Sequence, residues 1–128
     1  ALYYGSEWGI PGEKGPCSDD GLRPALEKPE WNGLTGWIAR LAAARRGSPA
    51  LQNGSYRNVL LTNLQIIFER RTEEERVLVA VNADSQPYTA HFDAGCGLAW
   101  DLISGQKHDF GSGSQLPPYS AFFWRMER

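Results

Sequence analysis

Apolar positions follow two different periods along this chain. Between residues 34 and 46 they recur at helical spacing, so that Leu34, Trp37, Ile38, Leu41 and Ala42 share one face of a predicted helix. Arg45 and Arg46 close that segment, where the helix dipole favours cations, and Thr35 is a candidate N-cap. Gly47-Ser48-Pro49 then reads as a stop. From Leu51 onward the period shortens to two. Segments 56–61, 64–70, 76–82, 88–92, 97–103, 107–110 and 120–126 read as short strands, with Val77, Val79 and Val81 on one face. Asn53-Gly54 and Ser104-Gly105 read as turns, 72–75 as a polar hairpin connection and 111–114 as a Gly/Ser link. Short strands at such spacing predict an antiparallel sandwich or barrel.

Ahead of the helix the pattern dissolves. Residues 9–33 carry Pro11, Pro16, Pro24 and Pro29 among repeated glycines, with neither period. An irregular stretch of that length inside a compact chain is usually functional or disordered.

Composition narrows the function classes. The 128 residues suffice for about one domain. A net charge of −2 gives no electrostatic reason to expect nucleic acid or an anionic membrane, and no apolar run approaches a membrane span. Cys17 and Cys96 lack metal-ligand spacing and make no disulfide framework, so they read as free thiols, which fits a reducing, cytoplasmic compartment. No cofactor or metal is expected.

The first residues, ALYYGSEW, read as a short strand, a Gly turn and a carboxylate. This segment resembles the last barrel strand and following loop of the α-amylase family of glycoside hydrolases. The resemblance continues through RRGSPAL, similar to the exit from the family's final barrel helix, and through FERR, VLVAVN and LPPYSAFFW, similar to strands of its domain C. Within the family, the neopullulanase and cyclomaltodextrinase branch is the nearest in pattern. The resemblance implies that residues 1–50 are the C-terminal end of a (β/α)8 barrel and 51–128 a β-sandwich support domain. In that family the nucleophilic Asp, the proton-donating Glu and the third Asp all precede this strand. The expectation is therefore a C-terminal piece of an enzyme acting on α-glucans or maltodextrins, with no catalytic residue and no activity alone.

The same resemblance supplies candidate sugar-binding residues. Asp19-Asp20-Gly21-Leu22-Arg23 is similar to the family's Asp-Pro-x-x-Arg loop, which implies that Asp19 accepts hydrogen bonds from glucose hydroxyls and Arg23 makes a forked contact. Glu7 completes the set. Asp20 and Leu22 depart from the family pattern. A bare solvated loop is the competing reading, and no rigid scaffold is evident to hold Glu7 and Asp19 as a catalytic pair.

A second class of function is a carbohydrate-binding module using exposed tryptophans. Of Trp8, Trp31, Trp37, Trp100 and Trp124, most are expected to pack, with Trp8 and Trp31 the exposed ones. His91 and His108 lack partners at ligand spacing and read as surface or satisfied strand residues; Asn53-Gly54-Ser55 matches a glycosylation acceptor but reads as a turn. Parted from a barrel, Ala1 to Tyr4 and the Trp37/Leu41 face are also expected to favour self-association.

Overall fold

The computed structural model describes residues 2, 4–22, 24–25 and 28–127. It divides into two compact units, Ala1–Ala43 and Ala44–Arg128.

The first unit is mostly irregular, with short 3-10 turns at Ser6–Trp8 and Asp20–Leu22. Helix α1 (Gly33–Arg46) follows and ends, as expected, on Arg45 and Arg46. Its cap differs from expectation. Asn32 accepts the Thr35 backbone N–H on Oδ1 at 3.0 Å and the Gly36 N–H on its carbonyl at 3.0 Å. Thr35 is therefore inside the first turn and buried, with its hydroxyl donating to the Glu7 carbonyl at 2.7 Å. Asx side chains cap at least as well as Thr, and Asn32 begins the helix three residues earlier. The predicted strand at Ala1 to Tyr4 is not found where it can be seen: Leu2 is irregular and Tyr4 lies in a turn, while Ala1 and Tyr3 lie outside the described residues.

The second unit is the β-sandwich. Its strands are β1 (Ser55–Leu61), β2 (Gln65–Arg71), β3 (Arg76–Asn82), β4 (Tyr88–Ala90), β5 (Leu98–Asp101), β6 (Lys107–Asp109), β7 (Ser114–Leu116) and β8 (Ser120–Met126). Six form an antiparallel sheet in the order β1-β2-β3-β8-β5-β6, and β4 pairs with β7 in a separate ribbon. β3 lies in the middle and is buried on both faces, as a strand with one layer on each side must be. Leu78 and Ala80 join Ile67, Trp124, Ala90 and Leu116 on the ribbon side. Val77 and Val79 point the other way, with Phe68, Val81 and Phe123, against Ala50 and Leu51.

Ala50 and Leu51 belong to a second helix, α2 (Pro49–Asn53), where the sequence pattern predicts a stop and a turn. Pro49 starts the helix rather than ending one, because its missing N–H and fixed φ suit the first helical position. Ser48 caps it, and Glu75 at the end of the β2–β3 hairpin reaches over to accept from Ser48 Oγ at 2.6 Å and from the Ala50 N–H at 2.8 Å. Gly54 then leaves α2 so close to β2 that a Cβ there would lie 2.5 Å from the Ala50 carbonyl oxygen and 2.8 Å from the Arg71 nitrogen. Only glycine fits that approach.

Buried polar side chains tie the layers together. Asn82, fully buried, donates to the carbonyls of Gln86, Leu116 and Pro117 at 2.9–3.1 Å and accepts from Gln65 Nε2 and the Asp84 N–H. Asp101 accepts from the Ser104 N–H and hydroxyl on one oxygen and from the Phe123 N–H on the other. Among the described residues no helix is long and apolar enough to cross a membrane.

Candidate functional site

Glu7 sits in a 3-10 turn bracketed by Gly5 and Gly9, both left-handed at φ 82° and 66°. The turn is pinned to the start of α1 through two carbonyls: that of Glu7 accepts from Thr35, and that of Trp8 accepts from Asn32 Nδ2 at 2.9 Å. The Glu7 side chain is half-buried, and its Oε2 is enclosed, with no hydrogen-bond partner among the described residues. Such an oxygen is costly to leave unmatched.

Asp19 lies in the irregular stretch, where its carbonyl accepts from the Leu22 N–H at 3.0 Å. Its carboxylate is exposed and 3.9 Å from the equally exposed Lys14 ammonium, a pair that solvent screens strongly. Arg23 lies outside the described residues. Among the described residues no hydrogen bond or ion pair joins Glu7 to Asp19, and no three His, Cys, Asp or Glu side chains cluster so as to hold a metal ion.

The tryptophans divide differently from the sequence reading. Trp124 is buried and Trp31 is exposed, as expected. Trp8 is only half-buried, because its turn is tied down against α1. Trp37 is exposed rather than packed, with the Arg40 guanidinium 4.0 Å above its ring. Trp100 is exposed on β5, with Lys107 Nζ 4.7 Å over the ring and its indole N–H donated to Glu127 Oε1 at 3.0 Å.

His108 has partners that no sequence spacing announced. Its ring stacks on Trp124 at 4.2 Å and meets Phe110 edge-on, and its Nε2 is 2.8 Å from Ser114 Oγ. Burial pushes the imidazole below its usual 6.5 although Asp109 and Asp101 pull upward. This is a structural histidine joining β6 to the ribbon.

Glu69 is the other buried ionisable group of note. Arg57 reaches it with a forked contact of 3.3 Å per bond, and Arg76 bonds its Oε2 while donating Nη1 to the Ala94 carbonyl at 2.6 Å. Beside this network an open groove of about 700 Å³ is lined by Arg71, Glu73, Glu75, Arg76, Cys96 and Arg125, among others. Its charges are mixed, and its best-held carboxylate, Glu75, is engaged in capping α2. Cys17 and Cys96 are both free thiols, Cys17 exposed and Cys96 half-buried beside the Met126 sulfur at 3.2 Å.

No protein-family model and no curated protein matches the sequence. Solved structures do match the fold. An α-amylase from Anoxybacillus, described as a new glycosyl hydrolase subclass, aligns with 96% of this chain at a TM-score of 0.80 and 21% identity. CldA, described as a cyclomaltodextrin glucanotransferase with a three-domain ABC distribution, aligns with 99% at a TM-score of 0.81 and 24% identity. AmyP, solved with maltose, aligns with 97% at a TM-score of 0.80 and 20% identity. This chain spans only 28%, 29% and 30% of those three chains, respectively. Over nearly its whole length the chain therefore has the fold of a portion of α-amylase-type enzymes, a helix with irregular lead-in followed by an antiparallel β-sandwich.

Proposed function

We propose that this chain is the C-terminal portion of an α-amylase-family glycosidase acting on α-glucans or maltodextrins, and that its sandwich is a non-catalytic support domain. The observation that carries the reading is the agreement between motif order and fold. YYGSEWG, RRGSPAL, VLVAVN and LPPYSAFFW occur in the family's order, and the chain folds onto under a third of amylase-type enzymes with almost nothing left over. The division of labour within the chain agrees. In the sandwich, the polar side chains that are best held, Asn82, Asp101, Glu69 and Glu75, are spent on capping and cross-bracing.

The first unit supplies sugar contacts in this reading. Asp19 and Arg23 line the sugar site of the complete enzyme and Glu7 completes that edge, with the rest of a barrel providing the opposite side and the catalytic acids. Support comes from the exposure of Asp19, which leaves its carboxylate open to a hydroxyl donor.

Asp19→Asn and Arg23→Ala in the full-length protein test the assignment. Each removes a charge-assisted hydrogen bond, so KM for maltoheptaose should rise about tenfold with an unchanged unfolding midpoint. An unchanged KM in both variants removes these residues from the sugar site.

A further inference from the structure

The register of the large sheet aligns one residue from each strand in a transverse row. Tyr56 pairs with Arg70, Arg70 with Val77, Val77 with Arg125, Arg125 with Trp100 and Trp100 with Lys107. Directly paired residues project from the same face of an antiparallel sheet. The middle of this row lies under α2, where Val77 is buried and Arg70 donates Nε to the Ala50 carbonyl. At the β5–β6 end Trp100 is exposed among the described residues, flanked on the neighbouring strands by two cations, Arg125 and Lys107.

Trp100 is also held in place. Its indole N–H is fixed to Glu127, which is 3.6 Å from Lys107 Nζ, so the carboxylate lies at the ring's edge while the ammonium lies over one face. A pinned aromatic plate costs little ordering when a ligand stacks on it. A plate bordered by an anion and two cations matches a molecule with an apolar flat face and a polar rim of both donors and acceptors. A pyranose ring has that shape: its C–H groups stack on the indole and its hydroxyls bond charged neighbours more strongly than neutral ones.

We propose that Trp100, with Lys107, Arg125 and Glu127 around it, is a binding site on the outside of the sandwich for an α-linked glucose oligosaccharide. The α-linked choice rests on the reading given under Proposed function; the sugar site itself rests on the row. Lys107 leaves its weak, exposed position over the ring and turns to a hydroxyl as the sugar stacks. The carboxylate at the site, Glu127, is engaged by the indole N–H and the Lys107 ammonium, so the site's role is to retain polymer near the enzyme.

The indole N–H resonances of this chain, followed during titration with maltoheptaose, test the proposal. The expected result is a saturating shift at Trp100, with a Kd on the order of 1 mM, and no movement at buried Trp124. Trp100→Ala should weaken binding at least about tenfold, and Glu127→Gln, which leaves the fold untouched at an exposed position, should weaken it less. No shift at Trp100, or saturating shifts confined to Trp31 and Trp37, overturns the site. A parallel titration with cellohexaose separates the two claims. A response at Trp100 to cellohexaose alone overturns the α-linked assignment and counts against the proposed function, whereas a silent Trp100 in a full-length protein that cleaves starch removes only this site.

Discussion

Glu69 shows how a single residue braces this fold. Its side chain is 7% exposed, and burial by itself raises the carboxyl pKa. Hydrogen bonds from Arg57 and Arg76, and their charges, outweigh that and hold the group below its usual 4.5. A carboxyl depressed on folding contributes stability that is present above the unfolded pKa and fades as pH falls through the folded one. Glu69→Gln should therefore cost about 1–3 kcal/mol at neutral pH. Most of that comes through Arg76, since Arg57 is 62% exposed and screened. Urea unfolding of both proteins at pH 7 and again well below pH 4.5 checks the sign: the gap should close in acid, and a constant gap would assign the loss to shape rather than charge. The residue scale is also where sequence reading was least informed. Glu69 sits in an ordinary alternating strand, and nothing local says that Arg57 and Arg76, on two different strands, converge on it. His108 was invisible for the same reason, since Trp124 and Ser114 reach it only through tertiary pairing.

At the scale of elements, α2 is the instructive case. Five residues cannot hold a helix alone, because nucleation fixes several residues for a single hydrogen bond. The helix persists because Ala50 and Leu51 are buried against β3 and because Ser48 and Glu75 satisfy its first N–H groups. These two side chains act as a unit: Ser48 donates to Glu75 while accepting from the Leu51 N–H. Ser48→Ala and Glu75→Gln should each cost about 1 kcal/mol, with the double variant falling short of the sum by 0.5 kcal/mol or more. A double-mutant cycle by chemical denaturation measures this, and strict additivity would mean that the two caps work independently. Alternation over β1, β2, β3 and β8 made those strands legible to within a residue or two at each end. β7 was not, because Ser114–Leu116 is too short for a period and follows a Gly/Ser run. α2 was missed because Pro after a helix reads equally as a breaker and as a first residue, and only the distant Glu75 decides.

At the scale of the whole molecule, the motifs carried more than the periodicities did. Alternation and turn residues pointed to a sandwich, a fold that hosts many functions. The segments YYGSEWG and RRGSPAL pointed further, to where in a larger enzyme such a sandwich would stand, and the solved structures agree on the fold over 96–99% of the chain. The proposed sugar site was only partly legible. Asp19 is exposed, as the proposed binding role requires, yet Arg23 lies outside the described residues and Glu7 offers an enclosed oxygen rather than an open one. A site assembled from several loops has no local signature in any one of them.

The non-catalytic role is decided by reducing-sugar release from soluble starch and maltoheptaose, run side by side on this chain and on the full-length product of its gene at equal molar concentration. The full-length protein should release sugar, and the 128-residue chain none above buffer. Release by this chain alone would contradict its non-catalytic role, and a full-length protein inert toward every α-glucan would contradict the enzyme it is proposed to complete.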